Sequence, residues 1–588
     1  MYYTILENAR IVIALLKAHN IRHIVLSPGG SNIPIVSGVQ DDPFFSCYSV
    51  VDERSAMYMA IGLFLETGER IATVCTSAQA TRNYIPGLTE AYYKRVPILA
   101  ITMSKHPRFL GQEYMQCPIQ TSLPVDAVKK SFSLPKIQSV EDRDLCVRVV
   151  NEAILELTHN SFGPVQLNIE ALDSETWVLD KVLELPIVRT IKRYQIHDVL
   201  DEGELTGKRI MLLIGEHCRF TIKEKEAIEV FCESHNLMVY TNHLSNYCGK
   251  YSLNALPVLV GASYDHFVKD LCPDIVIVIG GITGDYDILN RLLKLPETSL
   301  EVWRVNEDGS VIDTYSKLTR VYQMGIADFC ARYSNVKENT HEYYNLWYDS
   351  YQQLEVDSVQ LPFSNVYAAQ QLHCIIPQHS RMHFAILNSL RSWMFFDIDE
   401  SIEAFSNVGA FGIDGGMSTM LGQSYATDEL CFLVIGDLAF YYDMNSLGNR
   451  HIKNNVRILL VNNNGGVEFK INTIHEEIDV SRYISADNHF KTAKSWAEEN
   501  GFLYLSAKTK DEFSEISSQF VSLSNRPILF EVFTLPNDER EALRIIRNSC
   551  RNRSQEELKT KQSNERKKAF LSKILGETGV EIVKKLMR

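Results

Sequence analysis

Short apolar runs recur along this chain, each closing on Gly, Ser, Asn or Asp and followed by a stretch of helical character. HIVLSPGG, RIATVCTS, VPILAITMS and GPVQLNI form a first series between His23 and Ile169. RIMLLIGE, LMVYTN, DIVIVIGG and SLEVWRVN form a second between Arg209 and Asn306, and CFLVIGD, VRILLVNNN and PILFEVF a third between Cys431 and Phe533. Runs that are apolar throughout, without strict alternation, belong to strands buried on both faces, and helices between them supply the cover. The expectation is an α/β protein of three consecutive doubly wound parallel-sheet domains. A chain of 588 residues is too long for one core, and the divisions expected are 1–185, 186–350 and 351–550, with a basic, helical tail at 551–588.

A net charge of -14 argues against general nucleic-acid binding, which needs a positive surface. The twelve cysteines never form a CxxC pair and read as small core residues of a reducing, cytoplasmic protein. Ile11 to Leu16 is apolar, but Glu7, Arg10 and Lys17 flank it at helical spacing; an amphipathic surface helix is expected there, with no integral membrane segment. The tail ends in AFLSKILGETGVEIVKKLMR, which has amphipathic spacing suited to a packed terminal helix or to contact with a partner or anionic surface.

The segment from Gly436 to Gly466 carries the most chemistry. One strand delivers Gly436 and Asp437 at its C-terminal end, a helix is expected from about Ala439, and the next strand delivers Asn462 to Gly466 at its own C-terminal end. That edge of an open parallel sheet is where ligands bind. A carboxylate from Asp437, an amide oxygen from Asn463 and the backbone carbonyl of Gly465 make an all-oxygen set suited to Mg²⁺ shared with a diphosphate. Gly-Asp alone is usually a turn, and so is Asn-Asn-Asn-Gly-Gly; their occurrence on consecutive strands gives the combination its weight.

This spacing resembles the thiamine-diphosphate (ThDP) binding motif, with Leu438 where the family commonly has Gly. The stretch from Val50 through Thr102 likewise resembles the pyrimidine-binding domain of that superfamily. Within it, the chain is similar to the 2-succinyl-5-enolpyruvyl-6-hydroxy-3-cyclohexene-1-carboxylate synthases of menaquinone biosynthesis, through SPGG, DERSA, CTSAQATRNYIP, GAFGIDGGMST and GDL…YDMN…NNNGG. The resemblance implies that Glu53 activates ThDP, that Ile413 lies under the bent cofactor, and that Ser77, Gly436 and Leu438 join Asp437, Asn463 and Gly465 in holding it with Mg²⁺. It also implies a role for Gln116 against the intermediate, and a homodimer or tetramer whose sites combine two subunits.

The basic residues with which such a synthase meets 2-oxoglutarate and isochorismate are missing at the matching positions. Ser31, Asp285, Tyr286, Trp393 and Val408 stand there, and Glu468 replaces an apolar neighbour, adding negative charge near the thiazolium. Anionic substrates call for charge-assisted donors, and a carboxylate enclosed without a cation costs several kcal/mol. Ser389 is kept, Phe469 follows Glu468, and Lys105 and His106 lie near a position where the synthases have an arginine. His106 is a candidate proton donor, and His475 a candidate for closing over the substrate.

The leading expectation is therefore a ThDP-dependent 2-oxo acid decarboxylase or carboligase with altered substrates, releasing an aldehyde or passing the acyl anion equivalent to an aldehyde, ketone or enone acceptor. The synthase itself, with relocated basic residues, is the alternative. A non-catalytic ThDP-binding protein is the third, disfavoured by Glu53, since binding needs only the metal site.

Overall fold

The computed structural model describes residues 2–171, 184–334, 341–472, 480 and 482–551. The basic tail and His475 lie outside the described residues. Three sheets follow one another along the chain.

The first sheet has strands β1 (His23–Leu26), β2 (Ser46–Ser49), β3 (Ile71–Cys75), β4 (Ile98–Ser104), β5 (Ser131–Leu134) and β6 (Val165–Glu170) in the order β2-β1-β3-β4-β6-β5, all parallel. The second contains β7 (Lys192–Gln195), β8 (Ile210–Ile214), β9 (Leu237–Thr241), β10 (Ser252–Asn254), β11 (Ile275–Ile279), β12 (Glu301–Val305) and β13 (Leu318–Gln323). The third runs β15-β14-β16-β17-β19-β18, again all parallel, from β14 (Arg381–Phe384), β15 (Glu403–Ser406), β16 (Cys431–Gly436), β17 (Val456–Asn462), β18 (Leu503–Ala507) and β19 (Ile528–Phe533). The expected α/β class is the observed one.

The chain divides into two compact units, one of Met1–Asp198 with Glu301–Met324, the other of Val199–Leu300 with Gly325–Arg588. The second sheet contributes β12, β13 and β7 to the first unit and β8 to β11 to the other.

In the first unit β3 is buried at every position and β4 at all but its last, so both faces of the sheet are covered. The helix Glu7–Ala18 packs on the helices Val140–Glu156 and Ile33–Val39 and buries Ala9, Ile11, Val12, Ile13, Leu15 and Leu16. It is apolar around most of its circumference, so it is a core helix where an amphipathic surface helix was expected. Among the described residues no helix is long and apolar enough to cross a membrane. The cysteines are all unpaired; seven are buried, but Cys47, Cys218, Cys248 and Cys374 are exposed, which corrects their uniform assignment to the core.

Candidate functional site

In the first unit, Asp52 caps the helix Glu53–Thr67, its carboxylate accepting from the Arg54 amide at 3.1 Å and the Ser55 hydroxyl at 2.9 Å. Glu53 is thereby the first helical residue, where the helix dipole favours a carboxylate. Asn83 Nδ2 donates to Glu53 Oε2 at 3.1 Å and fixes its orientation.

Ser31 and Ser77 are brought together: the Ser31 hydroxyl accepts from the Ser77 amide at 3.1 Å and shares a hydrogen bond with the Thr76 hydroxyl. A Cβ at Gly29 would stand 2.5 Å from Thr76 Cβ, so glycine is what lets this loop approach. Lys105 is buried, its Nζ 4.8 Å from the Tyr114 ring centre. His106 is half-exposed, with Nε2 3.7 Å from Glu170 and Nδ1 accepting from the Arg108 amide at 3.1 Å. Gln116 is exposed with φ +61°. Its neighbour Gln120 is the buried one, accepting from the Ala78 amide and donating to the Met103 carbonyl and Asn168.

In the second unit, β16 and β17 are adjacent and parallel, which sets Gly436 beside Val461 and delivers Asp437 and Asn463 at one edge. The helix begins at Asp437 itself, ahead of the expected Ala439, and runs to Asp443. Asp437 is buried; its Oδ2 accepts from the Gly465 amide at 3.0 Å and lies 3.1 Å from His489 Nε2, while its Oδ1 accepts from the Leu438 amide. Burial raises its carboxyl above the usual range against the pull of His489 and the two amides.

Asn463 Oδ1 is buried with no hydrogen-bond partner among the described residues. A buried, unsatisfied amide oxygen beside a buried carboxylate is the donor set a hard cation completes, so these residues fit Mg²⁺. Gly465 has φ +155°, and a Cβ there would meet Asp487 Oδ1 at 2.4 Å. Ile413 is exposed just before the helix Gly416–Tyr425.

Two sequence expectations change. Glu468, on the helix Val467–Asn472, does not present an uncompensated charge: both its oxygens accept from Arg391, at 2.9 and 3.0 Å. Nor is Asp285 a substrate-facing acid. It caps the helix Tyr286–Leu293, wholly buried, accepting from the Tyr240 hydroxyl at 2.6 Å and two backbone amides, and burial pushes its carboxyl up to about 6. Trp393 and Val408 are core residues. Ser389 is buried one turn before Trp393, and Phe469 is exposed beside Glu468. Nothing in LNSLRSW marks Arg391 as the partner of Glu468, and nothing in the sequence around His489 signals its contact with Asp437.

The family model described as "Thiamine pyrophosphate enzyme, N-terminal TPP binding domain" matches residues 7–123. The 2-succinyl-5-enolpyruvyl-6-hydroxy-3-cyclohexene-1-carboxylate synthase of Phocaeicola vulgatus is 33% identical over 570 residues, covering 94% of this chain and 100% of the relative. The protein of the same name from Bacteroides thetaiotaomicron is 34% identical over 92% of this chain and 98% of its own length, and that of Flavobacterium johnsoniae 27% identical over 91% and 97%. With identity of this level over more than nine-tenths of its length, the chain belongs to the 2-succinyl-5-enolpyruvyl-6-hydroxy-3-cyclohexene-1-carboxylate synthase family of thiamine-diphosphate enzymes.

Proposed function

We propose that the chain carries out the reaction in its relatives' name: ThDP- and Mg²⁺-dependent decarboxylation of 2-oxoglutarate and addition of the resulting acyl anion equivalent to the conjugated diene carboxylate isochorismate. The observation that carries this reading is identity to the synthases along nearly the whole chain, together with the presence of Glu53, Asp437, Asn463 and Gly465. Bound ThDP supplies a nucleophilic carbon that accepts a 2-oxo acid and stores the electron pair released with CO₂.

The chain's own residues do the rest. Asp437, the Asn463 amide oxygen and the Gly465 carbonyl would hold Mg²⁺ and through it the diphosphate. Glu53, oriented by Asn83, would hold a proton opposite the aminopyrimidine, and Ile413 would support the bent cofactor. Ser77 beside Ser31, with Lys105, His106 and Gln116, would be the substrate-facing residues of the first unit, and Ser389 and Phe469 those of the second.

A second reading keeps the cofactor chemistry and changes the substrates. The burial of Trp393 and of Asp285, at positions where the synthases place cations, favours it. Incubation with ThDP, Mg²⁺ and a panel of 2-oxo acids, with and without isochorismate or aldehydes, separates the two by CO₂ release and product mass. Robust turnover of 2-oxoglutarate only with isochorismate supports the synthase; preference for another pair supports the second reading. Glu53→Gln is expected to lower turnover by about 10²- to 10⁴-fold while ThDP binding persists. Wild-type turnover in that variant would overturn both.

A further inference from the structure

The second unit contains a cavity of about 640 Å³ whose charged lining is Arg391, Arg540, Arg544, Arg547, Asp287 and Glu468. Its size suits a small-molecule ligand. Three of these arginines come from one helix, residues 536–551, at spacing i, i+4, i+7, which puts them on one face. The fourth comes from the helix Asn388–Trp393.

Two of the four guanidinium groups are paired with lining carboxylates, Arg547 with Asp287 at 2.7 and 3.0 Å and Arg391 with Glu468 at 2.9 and 3.0 Å. Arg544 is paired with Glu541 at the exposed rim, and Arg540 makes no ion pair among the described residues. In a chain of net charge -14, the unmatched guanidinium of Arg540 beside three paired ones leaves this concave wall with an excess positive charge that favours an anion.

The wall is also held in place. Glu539, buried next to Arg540, accepts from the Thr534 hydroxyl at 2.6 Å, the Asn365 amide at 3.0 Å and Asn388 Nδ2 at 3.5 Å, tying the two arginine-bearing helices together. The cavity adjoins the candidate site, because Glu468 follows the Asn463–Gly466 turn and Leu387, also in the lining, precedes Ser389.

We propose that this cavity receives the carboxylate groups of a dicarboxylic substrate, with Arg391, Arg540, Arg544 and Arg547 as specificity-determining residues replacing the cations absent at positions 31, 285, 286, 393 and 408. The proposal rests on the synthase reading above for its substrate class. Guanidinium forks match carboxylates two bonds at a time, and the rim arginines Arg540 and Arg544 are placed to close on an anion that enters.

The test uses the full chain with ThDP and Mg²⁺ and measures equilibrium binding of succinate, an unreactive dicarboxylate, beside turnover. Arg540→Gln/Arg544→Gln alters exposed residues only. It is expected to raise the Kd for succinate about tenfold or more, and to raise KM for 2-oxoglutarate similarly with kcat little changed. KM for the monocarboxylate 2-oxobutyrate should stay as in the wild type, and the Lys/Lys variant should restore part of the loss. The proposal is overturned if the wild type shows no saturable succinate binding, if the Gln/Gln variant binds succinate as tightly as wild type, or if inorganic phosphate binds as tightly as succinate. Failure of turnover alone would sink the synthase reading and leave the succinate measurement to decide the cavity.

Discussion

At the scale of single residues, the most informative atom is Asn463 Oδ1. Leaving a buried acceptor unsatisfied costs about 1–3 kcal/mol, and a cation bound beside Asp437 would remove that cost. Asn463→Ala is therefore expected to leave the melting temperature of the cofactor-free protein equal or higher, and to abolish most of the rise that ThDP and Mg²⁺ together produce in the wild type; melting curves with and without both check it. The placement of Asn463 at one sheet edge with Asp437 was legible in the sequence because the motif is local: Gly436-Asp437 and Asn462 to Gly466 flank one strand–helix–strand passage. Glu468 was misread for the opposite reason. Its charge is visible, but the partner that neutralises it, Arg391, lies 77 residues away in sequence, and only the fold brings them to 2.9 Å. His489 is hidden in the same way, since its contact with Asp437 spans 52 residues.

Elements show a similar division. The strands recognisable as apolar runs, such as β3, β4, β16, β17 and β19, lie inside their sheets, where helices cover both faces. The strands that left no such mark include all six sheet edges. β2 reads SCYS and is exposed throughout, β7 reads KRYQ, and β5, β10, β15 and β18 are similarly mixed; an edge strand has a neighbour on one side only and is free to be polar.

The helix 536–551 is joined to its surroundings through Glu539, whose carboxyl burial pushes up from 4.5 to about 7. A raised acid pKa means that its stabilising contribution is full below the unfolded value of 4.5 and is lost as pH rises through about 7. The loss is at most about 3 kcal/mol. Glu539→Gln cannot ionise, so the difference in melting temperature between variant and wild type should move in the variant's favour from pH 5 to pH 8. Parallel melting curves that keep a constant offset over that range would contradict the assignment.

For the whole molecule, each candidate half-site is bordered by apolar side chains left in solvent. Val51, Tyr58 and Met59 flank Glu53 in the first unit; Ile413, Tyr442 and Phe469 do so around the Asp437 half in the second. Exposed apolar surface at a functional edge is what subunit association covers. Sedimentation equilibrium is expected to give at least twice the 67.0 kDa of one chain, and the charge-introducing Tyr58→Glu/Met59→Glu to shift it toward one chain with loss of turnover.

With the proposed Mg²⁺ role, the unsatisfied oxygen of Asn463 would also matter outside catalysis. A protein that carries this cost until its ligand arrives is more stable when loaded than when empty, by an amount that grows with free cofactor. Empty chains are the ones that open more often and meet cellular proteases first. Abundance of this enzyme would follow the thiamine supply of its cell without any change in the rate at which the gene is read.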